Sequence, residues 1–324
     1  MVYLSKKKIK GKYYAYLVKS IRLPNGDVKT ISKRVETKNF DRKTAYKLAK
    51  RHNIFFLQKE IDLNAKWAMK SFKKSYIFSE GEIEKLENIR VSFKYMIKKL
   101  SGSQRKDVFD RFTVNFTYDS NAIEGNSLTL KDVSIVIFEN EIVEGKSLRE
   151  FFETRNSRRV MEGILKKNFK VSHADIIKMH RMLMRDIDER TGYKKIPNVI
   201  YRAEKEVETT PPEKVEKEMS ILMDWHNKAI QNMHPLEVAS IFHGRFEKIH
   251  PFEDGNGRVG RFLINVILVN NGYPPMIIRK TSRTAYMESL KAFDNGYQDK
   301  LKRFMLKKFK DTYRKFFEVY AKYI

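Results

Sequence analysis

The sequence predicts a mainly α-helical chain that opens with a small β-hairpin-plus-helix module. Two patterns and one bulk quantity predict it. Residues 12–36 alternate apolar or aromatic residues with cations around a turn signal, the period-2 pattern of strands. From residue 41 onward apolar residues recur at helical spacing. A hydrophobic fraction of 41% is enough to build a core and excludes a wholly disordered chain.

Taken in order, a short strand is predicted over residues 2–8, turning at Lys10-Gly11 into a second at 12–23. Pro24-Asn25-Gly26-Asp27 then turns the chain into a third strand at 28–36. Asp41 is placed to cap a helix of about 30 residues. Ser79 and Glu82 have capping-box spacing, and Ile83, Leu86, Ile89, Phe93, Met96 and Ile97 follow on one face. A boundary near residues 74–80 divides the chain into 1–74 and 75–324. Further helices are expected near 104–121, 131–140, 147–167, 173–186, 213–230, 235–248, 257–271, 282–293 and 298–322. Residues 190–212 differ: Gly192, Pro197 and Pro211-Pro212 punctuate a small hairpin around Val199-Ile200.

Length and charge narrow the function classes. The 324 residues suit about two domains. With no cysteine, a disulfide framework, a thiolate zinc site, an iron–sulfur cluster and a cysteine nucleophile are all excluded. The first residues carry charge without the apolar stretch of a secretory signal, and the run Phe262–Val269, broken by Asn265, is far short of a membrane span. A cytoplasmic protein with no membrane partner is expected. Lys and Arg number 66 against 40 Asp and Glu, a formal charge of +26. Residues 1–75 hold 21 of the cations and 5 of the acids, a net +16. That asymmetry points to a polyanionic partner or, as the bland alternative, to a lysine-rich surface that runs throughout.

The most informative segment is HPFEDGNGRVGR, residues 250–261. Its glycines let backbone amides converge on one point, and the start of the next helix adds positive potential, the makings of an anion site. Arg258 and Arg261 fall in the first turns of that helix, where they oppose the dipole and so need an anion or acidic neighbours. Asp254 is a hard oxygen ligand suited to Mg²⁺, and His250 can take a proton near neutral pH. Phosphates, metal and base in one loop point to phosphoryl or nucleotidyl transfer.

This segment resembles the signature of the Fic family, HxFx(D/E)GNGRxxR, at every fixed position: His250, Phe252, Asp254, Gly255, Asn256, Gly257, Arg258 and Arg261. The likeness runs over roughly residues 100–310, with His243 and Phe246 before the loop and FLINVILVNNGYPP after it. It implies a helical Fic core that uses ATP and Mg²⁺ to place AMP on a Ser, Thr or Tyr hydroxyl of a target protein. By resemblance, His250 would be the general base and Asp254 would hold Mg²⁺. The amides of Gly255, Asn256 and Gly257 would stabilise the α-phosphate, and Arg258 and Arg261 would hold the β- and γ-phosphates. Gly260 counts with the nucleotide-binding loop, and Tyr286 stands where relatives stack an aromatic on adenine. Residues 192–209 resemble the family's flap, although Lys195 stands where an Arg is common and Pro197 follows. A homo-oligomer is left open.

Upstream, SNAIEGN at residues 120–126 reads locally as a helix end, with Gly125 past the last turn. It is also similar to the inhibitory S-x-x-x-E-G motif of many Fic proteins, on a helix near 104–125. Glu124 would then pair with Arg261 and exclude the γ-phosphate, and in some relatives the same Glu positions water to remove AMP. Residues 1–74 resemble the small DNA-arm-binding domain of tyrosine recombinases, so DNA is a candidate partner of that module. The alternative function is a DNA-associated regulator whose core binds nucleotide and mainly removes AMP or transfers another nucleotide group.

Overall fold

The computed structural model describes residues 2–72, 75, 77–202 and 205–321, and 63% of the chain is helical. Contacts divide it into two compact units, Met1–Lys74 with Phe78–Ser92, and Ser75–Ile77 with Phe93–Ile324.

The first unit is built on an antiparallel sheet of β1 (Val2–Ile9), β2 (Lys12–Arg22) and β3 (Val28–Val35), with β2 in the centre. Lys10 and Gly11 both take positive φ (49° and 77°), the left-handed pair that a two-residue hairpin loop requires, and Ile9 faces Lys12 across it. Alternation sends Ala15, Leu17, Ile21, Ile31 and Val35 to one face, where they pack with Ala45 of α1 (Arg42–Arg51) and Phe56 of α2 (Asn53–Ser71). Asp41 caps α1 by accepting the Thr44 amide at 2.7 Å. The single helix expected after Asp41 is two, broken at His52 (φ −104°, ψ 20°). The break lets Ala45 and Phe56 both reach the same sheet face. Helix α3 (Glu80–Lys99) opens on the Ser79–Glu82 capping box, and its Arg90 is bonded to the fully buried Glu87 and to Asn64 Oδ1.

The second unit is helical apart from one hairpin. In order come α4 (Gly102–Ile123), α5 (Leu130–Phe138), α6 (Leu148–Leu165) and α7 (His173–Met184). The hairpin of β4 (Val199–Arg202) and β5 (Lys205–Glu208) follows, pairing Val199 with Glu208. Then come α8 (Pro212–Ala229), α9 (Pro235–Ile249), α10 (Asn256–Asn270), α11 (Arg283–Asp294) and α12 (Gln298–Phe316). The last predicted helix stops earlier than expected, at Phe316, with a separate short turn of helix at Glu318–Ala321, and residue 322 of that expectation lies outside the described residues.

Helices α9 and α10 form the centre: each buries 13 of its 15 residues, and α10 packs on α4, α6, α7 and α9. A helix apolar nearly all round must be enclosed by others. The loop between them, residues 250–255, is therefore held at both ends by two deeply buried helices. Among the described residues no helix is long and apolar enough to cross a membrane.

Candidate active site

The α9–α10 loop is shaped by its backbone before any ligand is considered. His250 ends α9 in the left-handed region (φ 51°, ψ 61°), uncommon for a residue with a Cβ, and its amide donates to Phe246 O at 2.9 Å. Asn256 clamps the turn from both sides: Oδ1 accepts the Phe252 amide at 2.8 Å and Nδ2 donates to Phe252 O at 2.7 Å. Gly255 takes φ 80° at the start of α10 and supplies no side-chain cap. The first-turn amides of α10 consequently keep their anion-binding potential.

A cleft of about 390 Å³ opens over this loop, lined by Glu124, Arg149, Glu153, His250, Asp254 and Arg258 together with the loop glycines and Asn256. The two arginines opposing the helix dipole have the acidic neighbours that physics requires. Arg258, 3% exposed, lies 3.2 Å from Glu153 Oε1 and 3.6 Å from Asp254 Oδ1. Arg261, 2% exposed, reaches Glu124 Oε1 at 2.7 Å, Ser120 Oγ at 3.0 Å and Ser120 O at 2.8 Å. Burial works against the Arg261 cation, but Glu124, joined by Tyr286 and Glu247, more than offsets it and raises its pKa. Burial also pushes the Asp254 carboxyl up, yet Arg258, the Gly255 amide and Arg149 together hold it below its usual value. Glu124 lies so close to Gly257 that a Cβ at 257 would collide with its carboxylate.

The structure brings His250, Asp254, Gly255, Asn256, Gly257, Arg258 and Glu124 to one cleft. Three of the expected nucleotide contacts do not line the cleft: Arg261 is buried against Glu124 and Ser120, and Gly260 and Tyr286 face other helices. Gly260 faces α9, where a Cβ would stand 2.6 Å from Glu247 Oε1 and 2.9 Å from the His243 ring, so its smallness serves helix packing. Tyr286 is 1% exposed, with its hydroxyl 2.6 Å from His243 Nε2 and its ring stacked on Phe304, and it does not line the cleft. Its position on α11 turns it toward α9.

The hairpin is tied directly to the loop. The Lys194 amide donates to Pro251 O at 2.8 Å and Asn198 Nδ2 to Phe252 O at 2.9 Å, with the ladder starting past Pro197 at Val199. Lys194 is itself buried, its Nζ on Asn198 Oδ1 and Thr209 Oγ1, and burial lowers its pKa to about 8.

Sequence reasoning passed over three residues of this site. His180 falls within α7, where its sequence neighbourhood is that of an ordinary helix position. It stacks on Phe252 at 3.9 Å and 2°, and its Nε2 is bonded to Asp254 O at 3.1 Å, fixing the loop from below. Burial lowers its pKa to about 4, so it is neutral and donates to that carbonyl. Arg149 and Glu153 are the others: Arg149 Nη2 meets Asp254 Oδ2 at 2.6 Å and its Nε meets Glu153 Oε1 at 3.2 Å. In sequence they are an unremarkable i,i+4 pair on a helix, and nothing local tells them from a solvated one.

The central buried helix pair thus holds, in and just after its connecting loop, a histidine, a carboxylate, uncapped helix amides and two arginines. Residues 170–268 match the family model described as Fic/DOC family. It is 34% identical over 185 residues to the protein adenylyltransferase Fic of Nematostella vectensis, covering 55% of this chain and 43% of that one. With protein adenylyltransferase fic-1 of Caenorhabditis briggsae the identity is 31% over 189 residues, 56% and 36% of the two chains. The chain thus spans less than half the length of these curated relatives. Among solved structures, a Fic family protein from Desulfovibrio desulfuricans superposes with a TM-score of 0.60 at 29% identity, covering 75% of this chain and 76% of that one. A Fic domain containing signaling protein from Bacteroides thetaiotaomicron gives 0.63 at 24% identity over 73% and 96%, a likeness of fold.

Proposed function

We propose that this chain transfers AMP from ATP to a Ser, Thr or Tyr hydroxyl of a target protein, and that Glu124 restrains the reaction. The observation that carries the reading is the convergence on one cleft of His250, Asp254, Arg258 and the uncapped first turn of α10. His250 takes the proton of the target hydroxyl as its oxygen attacks the α-phosphorus. The bond from that phosphorus to the β-bridging oxygen breaks, and pyrophosphate leaves in line. Amides of residues 255–257 and the Arg258 guanidinium stabilise the charge that develops on the phosphates. The residues fit Mg²⁺: Asp254 offers one hard carboxylate at the cleft, the habit of an ion completed by water and substrate phosphates. Bound there, Mg²⁺ would neutralise phosphate charge.

The Glu124–Arg261 pair supports the restraint, since one guanidinium cannot serve a carboxylate and a γ-phosphate at full strength. In this reading the same carboxylate would orient a water toward a modified target, so AMP removal belongs to it. The hairpin tied to residues 251 and 252 is positioned to pair with a target segment beside His250.

A second reading concerns the first unit. Strands β1–β3 hold nine Lys or Arg and no Asp or Glu in 27 residues. The sheet face away from α1 and α2 carries Lys7, Lys12, Arg22 and Arg34 with Tyr3, Tyr14 and Tyr16. Such a face suits a phosphate backbone, and duplex DNA is the partner we propose for it.

Incubation with α-labelled and γ-labelled ATP tests the chemistry. AMP transfer predicts protein-bound label from the α-phosphate alone, lost by about 10²–10⁴-fold in His250→Ala. Retention of γ-label, or equal labelling by the variant, would overturn it.

A further inference from the structure

Four charges around the cleft form a closed ring that joins the loop to α6. Arg149 Nη2 lies 2.6 Å from Asp254 Oδ2, Asp254 Oδ1 lies 3.6 Å from Arg258 Nη2, Arg258 Nη1 lies 3.2 Å from Glu153 Oε1, and Glu153 Oε1 lies 3.2 Å from Arg149 Nε. Glu153 Oε2 also accepts the Asn126 side-chain amide at 2.9 Å, and Glu150 accepts the Ser127 amide at 2.7 Å. The start of α6 therefore grips both the loop and the turn that follows Glu124.

We infer that Arg149 and Glu153 are placeholder charges: Arg149 occupies Asp254 where the divalent cation goes, and Glu153 occupies Arg258 where phosphate goes. This rests on the nucleotidyl-transfer reading and adds to it a restraint separate from Glu124. The other two members of the ring, Asp254 of the loop and Arg258 of α10, are the proposed metal ligand and the proposed phosphate ligand, and each is matched by the group whose charge imitates its incoming partner. The ring also opens without stranding a charge. When metal and phosphate take Asp254 and Arg258, the displaced Arg149 and Glu153 already lie 3.2 Å apart and remain a pair. Exposure is graded to suit: the Arg149 side chain is 57% exposed and can swing away, whereas the Arg258 side chain is 4% exposed and stays in place. A pair with one exposed member is weak enough to be exchanged.

Mn²⁺ and the non-transferable α,β-methylene ATP are the probes, used on the full chain. Mn²⁺ occupancy at saturating analogue is read by electron paramagnetic resonance, and analogue affinity without metal by calorimetry. Arg149→Gln should lower the Mn²⁺ midpoint about two- to fivefold, while Arg149→Lys, which keeps the charge, stays near wild type. Glu153→Gln should tighten metal-free analogue binding by a similar factor. A merely supportive role predicts the opposite sign, because loosening Asp254 or Arg258 weakens its ligand. Unchanged or weakened binding in Arg149→Gln, whose exposed side chain folding does not depend on, overturns the proposal. A wild-type chain that binds no metal–analogue pair overturns the nucleotide reading first and this proposal with it.

Discussion

The N-terminal sheet and the cleft are both rich in cations, and they use them in opposite ways. In the cleft, arginines are matched by acids: Arg149 by Asp254, Arg258 by Glu153, Arg261 by Glu124, and Arg190 nearby by Asp188 and Glu253. On the sheet, Lys19 alone among the described strand cations shows an ion pair, to Glu60 at 2.7 Å. Others lie over rings, Lys7 over Tyr16, Arg34 over Tyr14 and Lys33 over Phe55. A ring satisfies part of a cation's field and leaves the rest to solvent or a partner. Matched charges make a device that an incoming charged ligand must exchange; unmatched ones make a surface that attracts from a distance. Net charge alone would not have separated the two.

That contrast is most easily broken at the sheet. Reversing Lys7 and Arg34 to Glu together should weaken duplex binding by at least about 10²-fold at low salt and reduce the salt slope by about two. Reversing two exposed lysines of the second unit, Lys131 and Lys228, should leave binding nearly unchanged. Equal loss from both pairs would return the sheet to a generally basic surface. Substitution is the cleaner test, since residues 78–92 belong to the same compact unit and deleting 1–74 would strip them of their packing.

A smaller effect is expected beneath the loop. His180 is buried with its pKa lowered to about 4, against about 6.5 when unfolded. Between those values the unfolded chain takes up a proton that the folded chain refuses, so this residue's contribution to stability falls as pH drops. The slope is about 1.4 kcal/mol per pH unit, and above pH 6.5 the contribution is flat. Urea denaturation of wild type and His180→Gln at pH 7.5, 6 and 5 should show the two curves converging toward acid. Parallel curves would mean that His180 titrates normally and does not hold Asp254 O as a neutral donor.

How much of this was legible depends on whether the signal is local. The hairpin turn at Lys10-Gly11, the Asp41 cap, the Ser79–Glu82 box and the α9–loop–α10 segment all declare themselves within a few residues, and the structure has them. The break at His52 has no Pro or Gly to announce it; tertiary packing places it. The Glu124–Arg261 contact spans more than a hundred residues and was reached through resemblance, not through spacing. Arg149, Glu153 and His180 were missed because their helical neighbourhoods are ordinary and their partners lie far along the chain. Tyr286 shows the converse: a helical aromatic at suitable spacing faced the core, because the face that α11 buries is set by α9.

The proposed restraint has Glu124 hold Arg261 away from the nucleotide, and replacing Glu124 tests it most directly. Automodification with α-labelled ATP should rise at least about tenfold in Glu124→Gly, with Glu124→Asp intermediate. The rise should vanish in Glu124→Gly/Arg261→Ala, because two residues acting as one unit are not additive. Melting temperature should fall in Glu124→Gly under any account, since a buried guanidinium loses its carboxylate, so labelling is the quantity that decides. Stronger labelling in Glu124→Gly that disappears in the double variant is the result predicted. Unchanged labelling with a lowered melting temperature would contradict it and leave Glu124 as the cap of α4.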